Sequence, residues 1–246
     1  MRKSIWCLAA MLPLAFASVA CAATGTVILN EWNCVGETKY LGGSSSTGSG
    51  FDPAFLPKHK GNGGNWVELV VCQDHADLRG MTLYWDNADP SSGTVTFKNV
   101  SEWSDVRSGV IITVMEAAID EGEDIDQYGW EEGSDLTVDY EDDWHMHVLV
   151  SDDDLVTHSG PFKVDNDDWG MKIMNGATLY QDWIGEAETG WAGGGIASTE
   201  IGKLEDDPST SVVIGDYDDG DNSTFGAPNT WNGGLDSQDF SALRSW

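Results

Sequence analysis

Short apolar stretches broken by Gly, Asn and Asp set the character of this chain. Residues 26–32, Thr-Val-Ile-Leu-Asn-Glu-Trp, form a β-rich run. In residues 65–72, period-2 alternation puts Trp66, Glu68 and Val70 on one face and Val67, Leu69 and Val71 on the other. Residues 74–80 read as a turn, 81–85 as a third strand and 94–97 as a fourth. Residues 110–115, Val-Ile-Ile-Thr-Val-Met, are apolar enough to be buried on both faces. Residues 145–150 alternate again. Residues 169–175 and 178–184 predict a hairpin around Asn175-Gly176, and 211–214 a last short strand.

No long run carries a 3.6-residue apolar period, and no repeat of 20–50 residues is present. Short strands separated by turn residues predict an all-β sandwich or barrel of low helix content. Two stretches interrupt it. Residues 36–64 form a long loop containing Gly-Gly-Ser-Ser-Ser-Thr-Gly-Ser-Gly, and 116–160 is an acidic insertion with little apolar periodicity over 116–143.

Residues 1–23 carry Arg2 and Lys3, an apolar run over 5–16 and an Ala20-Cys21-Ala22 cleavage pattern. These are the parts of a secretory signal peptide. The apolar run is shorter than the roughly 20 residues of a membrane span, and no later stretch qualifies. The expectation is one domain, 24–246, secreted or periplasmic or held at the cell surface. Ser18-Val19-Ala20-Cys21 also admits a lipoprotein reading, against which Ser18 stands where Leu is usual. Loss of the leader leaves Cys34 and Cys72, a candidate disulfide in an oxidising compartment. The alternative is two buried thiols, favoured if the first two strands pair antiparallel and set the cysteines at opposite ends.

Charge narrows the partners. The 246 residues hold 12 Lys+Arg against 42 Asp+Glu, a net charge of −30. Such a chain repels nucleic-acid backbones and anionic membranes. Cations, basic proteins and neutral polymers remain. A hydrophobic fraction of 40% supports a packed core rather than a disordered acidic tail.

Three stretches in order resemble the lamin-tail domain family: residues 27–32, ending Asn30-Glu31-Trp32; Asn65-Trp66-Val67-Glu68-Leu69-Val70; and Ala76-Asp77-Leu78-Arg79-Gly80-Met81-Thr82-Leu83. Downstream, residues 223–229 are similar to the Gly-x-Pro-Asn turn that closes such domains, here Gly226-Ala227-Pro228-Asn229. The resemblance implies an immunoglobulin-like β-sandwich with long acidic loop insertions. It also implies a binding or structural role, as in exported surface and accessory modules. The DNA binding of some members is opposed here by charge. Independently of the family, Gly80 permits the tight turn that sends 81–85 back along the sheet.

Candidate chemistry is sparse. No nucleophile elbow, zinc-protease helix, phosphate loop or dinucleotide fingerprint is present. His145 and His147, two apart on a strand, share a face and suit Zn²⁺ or Cu²⁺ if a third ligand joins them. The simpler reading is surface-strand histidines. Asp216, Asp218, Asp219, Asp221 and Asn222 surround Gly220 with oxygen donors, a candidate calcium loop that lacks the regular Asp-x-Asp phase. Asp165-Asn166-Asp167-Asp168 and Asp152-Asp153-Asp154 are further acidic clusters, and hydrated turns explain all three without an ion. Of 12 Trp, Trp66, Trp85 and Trp169 lie in strands as core candidates. Trp130, Trp144, Trp183, Trp191 and Trp231 lie near turns, where they either stack on sugars or fill the gaps of long loops. The reading reached is a non-enzymatic binding or structural module whose partner is a protein or polysaccharide. A carbohydrate-binding module is the alternative, and a metal-dependent hydrolase the next.

Overall fold

The computed structural model describes residues 25–43, 60–87, 92–116, 133–191 and 194–245. The leader with Cys21, the Gly/Ser-rich segment 44–59 and the acidic segment 117–132 with Trp130 lie outside the described residues. Two sheets pack face to face as an all-β sandwich. The first is formed by β1 (Val27–Asn33), β2 (Trp66–Val71), β5 (Ile111–Met115), β6 (His145–Leu149), β10 (Ile201–Leu204) and β11 (Tyr217–Gly220), in the order β11-β10-β1-β2-β5-β6. The second is formed by β3 (Met81–Asp86), β4 (Gly93–Phe97), β7 (Val156–Ser159), β8 (Gly170–Asn175) and β9 (Thr178–Gly185), in the order β7-β4-β3-β8-β9. A small hairpin of β12 (Thr230–Trp231) and β13 (Asp236–Ser237) follows. All pairs are antiparallel except β5 with β6.

Strands β1, β2 and β5 are buried along their whole length. They lie in the interior of their sheet with both faces covered, one by the second sheet and the other by the C-terminal segment. The second sheet is covered on one side only, so β3 alternates strictly: Met81, Leu83 and Trp85 inward, Thr82, Tyr84 and Asp86 outward. Two tryptophans take their space from glycines directly across the ladder. Trp32 lies over Gly202 and Trp85 over Gly93, where an added Cβ would come within 2.1 Å and 2.2 Å of the ring. Trp32 also stacks on Trp169 at 5.6 Å.

A bulge between Leu29 and Glu31 interrupts the β1–β2 ladder. The Leu29 N–H there donates to Gln181 Oε1 of the second sheet at 2.7 Å, and the Leu29 carbonyl accepts from Tyr217 Oη at 2.6 Å. Gln181 Nε2 donates to Tyr217 Oη at 2.8 Å, so the buried polar groups are matched and the two sheets are tied.

Several expectations need correction. Residues 211–214 are not a strand. They lead into a 3₁₀ turn over Ile214–Asp216. Strands β7, β10, β11, β12 and β13 have no counterpart in the sequence reading. The acidic insertion 116–160 is partly structural, because 145–159 supplies β6 and β7, one edge of each sheet. The disulfide is absent: Cys34 and Cys72 are both free. Cys72 N–H donates to the Thr26 carbonyl beside the start of β1. Cys34 lies just past the other end of that strand, about 25 Å away along extended chain, whereas a disulfide needs Cα atoms within about 7 Å.

Candidate functional site

A polar row crosses the first sheet from edge to edge. In register across the six strands stand Asp218, Lys203, Glu31, Glu68, Thr113 and His147. Glu31 and Glu68 are both 0% exposed. Two buried carboxylates side by side are tolerable only if donors converge on them, and the segment 223–238 brings those donors. Glu68 accepts from Asn30 Nδ2 and from the Gly226 N–H, both at 2.7 Å. Glu31 accepts from the Thr224 N–H at 3.3 Å and from Thr224 Oγ1 at 3.1 Å.

Asn229 completes the clasp. Its Nδ2 donates to the Asn30 and Leu204 carbonyls at 3.0 and 3.1 Å, and its Oδ1 accepts from Asn30 Nδ2 at 3.2 Å. Gln238 Nε2 donates to Asn30 Oδ1 at 2.8 Å, and Gln238 Oε1 accepts from the Asn229 N–H at 2.9 Å. The alternation expected of β2 holds here, since Trp66 and Glu68 meet the same segment: Trp66 is edge-on to Phe225 at 5.0 Å. Gly226, at φ +73°, passes so close over the His145 ring that an added Cβ would lie 2.7 Å from Nδ1.

Among the described residues, the candidate calcium residues do not form a set of three carboxylates within reach of one ion, although Asp218 and Asp219 adjoin each other. Asp216 turns back to accept from the Val213 N–H at 2.7 Å, and Asp218 accepts from the Asp219 N–H at 2.9 Å. Asn222 presents its carbonyl to Lys203 Nζ at 3.2 Å, and Thr230 does the same at 2.8 Å. Lys203 is 2% exposed and also lies 3.8 Å from Glu205. A fixed ammonium therefore lies against the Gly220 turn, bonded to the carbonyls of Asn222 and Thr230. Asp219, half-buried against Glu200 and Asp218, has its carboxyl pushed up to about 7, chiefly by loss of water and then by the Glu200 charge.

Among the described residues, the carboxylates close enough to share an ion are Asp167, Asp168 and Glu186. The first two belong to the acidic cluster read at 165–168; Glu186 comes from the turn after β9, a pairing no local pattern announces. Asp165 of the same cluster is instead paired with Lys163 at 2.9 Å, and Asp152 caps its own turn through the Asp154 N–H at 3.1 Å.

His145 and His147 share a face, their rings 6.0 Å apart. His145 Nε2 meets Thr113 Oγ1 at 2.8 Å, and His147 Nε2 meets the Gly133 carbonyl at 2.9 Å. Among the described residues no third ligand completes a metal set with them. Burial, and then the neighbouring His147, holds His145 down at about 4. Trp66, Trp85 and Trp169 are core residues, joined there by Trp32 and Trp103. Trp144, Trp183, Trp191 and Trp231 are half-buried.

Fold and site together define an all-β sandwich whose outer sheet face is shut by its own C-terminal segment through buried carboxylates and amides. No family model, curated protein or solved structure matches this chain.

Proposed function

We propose that the chain is an exported, lamin-tail-like β-sandwich that works as a non-enzymatic binding or structural module of the cell surface or periplasm. Its partner is a protein or a polysaccharide. One observation carries this reading. Three of the four stretches bearing the family resemblance, 27–32, 65–70 and 223–229, converge on a single buried network, with Asn30 and Glu68 bonded to Asn229 and Gly226 across 199 and 158 residues of chain. The carboxylates of that pattern are thereby committed to closing the fold. What faces solvent is an acidic, well-hydrated surface suited to association.

The test is to titrate the purified chain against a glycan array and a panel of basic proteins at two salt concentrations, beside generic ester, glycoside and phosphodiester substrates. Saturable binding without consumption of any ligand supports the proposal. Turnover that disappears when His147 or Glu186 is substituted overturns it in favour of a hydrolase.

A further inference from the structure

The outward face of the second sheet differs from the rest of the molecule in its chemistry. Thr82, Thr94 and Thr96 point outward from β3 and β4, and Thr157 and Ser159 from the edge strand β7. The register puts them in two rows, Thr82–Thr96–Thr157 and Tyr84–Thr94–Ser159. Within the rows the hydroxyls bond each other across strands: Thr82 with Thr96 at 3.0 Å, Thr94 with Ser159 at 2.9 Å. Strand geometry sets them about 4.8 Å apart across the sheet.

The rows continue into rings and a cation. Tyr84, 37% exposed, is the one aromatic among the exposed large hydrophobics of the described residues. Its partner on β8 is Lys172, which has no ion-pair partner among the described residues. Beyond β8, the half-buried Trp183 ring lies over Gly170, where an added Cβ would sit 3.6 Å from its Cε3. Tyr84 and Trp183 are thus two strands apart, roughly 10 Å.

Charge identifies the occupant. The chain has 42 Asp+Glu, and the carboxylates on this face gather at one end of it: Asp86 at the end of β3, Asp182 on the outermost strand β9, and Glu188, whose Oε1 would lie 3.5 Å from a Cβ at Gly170, whereas the hydroxyl rows of β3, β4 and β7 carry none. Basic proteins are drawn to the acidic remainder and anionic polymers are repelled by it. Rows of uncharged hydroxyls flanked by two separated rings and a donor ammonium match a neutral sugar polymer. Sugar C–H faces stack on Tyr84 and Trp183, while hydroxyl rims exchange hydrogen bonds with the threonine rows and Lys172.

We infer that the outward face of β7-β4-β3-β8-β9 is a binding platform for a neutral polysaccharide. This inference rests on the binding-module reading and names its partner and its surface.

The test is depletion from solution by insoluble cellulose, chitin and β-1,3-glucan, with affinity electrophoresis in soluble starch and xylan. Wild-type chain is compared with Tyr84→Ala, Trp183→Ala and Thr94→Asp. The expected result is retention on at least one of these polymers, weakened about tenfold or more by each ring truncation. The Thr94→Asp variant loses binding as well, and the melting temperature of each variant stays near wild type. Retention that survives all three substitutions overturns the platform while leaving the module reading intact. Binding to basic proteins with none to the five polymers overturns the glycan and likewise spares the module. Absence of binding to either class ends both.

Discussion

Glu68 and Gly226 are 158 residues apart, and the Gly226 N–H donates to Glu68 Oε2 at 2.7 Å inside the protein. The same carboxylate accepts from Asn30 Nδ2. Glu68 is 0% exposed, so the bonded carboxylate has no water to fall back on.

Removing one partner from such a network leaves the others buried and unmatched. Asn229→Ala strips the Asn30 carbonyl of its amide donor, leaves the Leu204 carbonyl with only the 3.4 Å bond from Gln238, and takes one acceptor from Asn30 Nδ2; Glu68→Ala removes the acceptor of the Gly226 N–H and one of the two acceptors of Asn30 Nδ2. Each is expected to cost about 3 kcal/mol or more, against less than about 0.5 kcal/mol for Asp153→Ala in an exposed turn. Urea titration followed by tryptophan fluorescence measures the difference.

Asp219 shifts upward, so its contribution to stability is complete below about pH 4 and fades as pH rises through about 7. Asp219→Asn is therefore expected to melt a few degrees above wild type at pH 8 and to converge with it at pH 4. Equal melting temperatures at pH 8 would mean that Glu200 and Asp218 do not burden Asp219.

His145 shifts the other way. With its native value near 4, the unfolded chain binds the extra proton between about pH 6.5 and 4. Its contribution is present above that window and is lost on acidification. The slopes of His145 and Asp219 oppose each other over the same range and flatten the wild-type profile. Relative to wild type, His145→Gln should slope downward with rising pH and Asp219→Asn upward. Calorimetric scans at half-unit intervals read both.

Burial raises both thiols, that of Cys72 to about 12. A chain beginning at residue 24 should release two thiols to a chromogenic disulfide reagent in guanidinium and almost none within minutes in native buffer. Its gel mobility should not change with reductant.

Lys203 already holds the Asn222 carbonyl, so millimolar calcium should raise the melting temperature no more than sodium chloride of equal ionic strength. A calcium-specific rise removed by EDTA and by Glu186→Gln, but untouched by Asp221→Asn, would locate the ion among Asp167, Asp168 and Glu186.

The strands legible in the sequence are those that bury a face. Residues 65–72, 81–85 and 94–97 become β2, β3 and β4 within a residue or two, and the 169–184 hairpin turns at Gly176, φ +58°. Strands β10 and β11 were hidden because their sequences, Ile-Gly-Lys-Leu and Tyr-Asp-Asp-Gly, carry no apolar run. They exist because Gly202 admits the Trp32 ring and Lys203 finds the carbonyls of 222 and 230. Both conditions are met only by residues far away in the chain. The cysteine separation follows from the pairing of β1 with β2, a relation that composition does not carry. For the same reason the acidic motif around Gly220 displays only its oxygens in sequence, and the lysine folded against the turn comes from β10.

The amide and carboxylate clasp imposes an order on the life of the chain. Asn30 and Glu31 are made 193 to 208 residues before their partners at 224, 229 and 238. A chain still being synthesised therefore keeps Glu31 and Glu68 in water rather than buried in a completed sheet. Such long-range pairing is slow to nucleate, so closure of the first sheet waits on the segment 223–238.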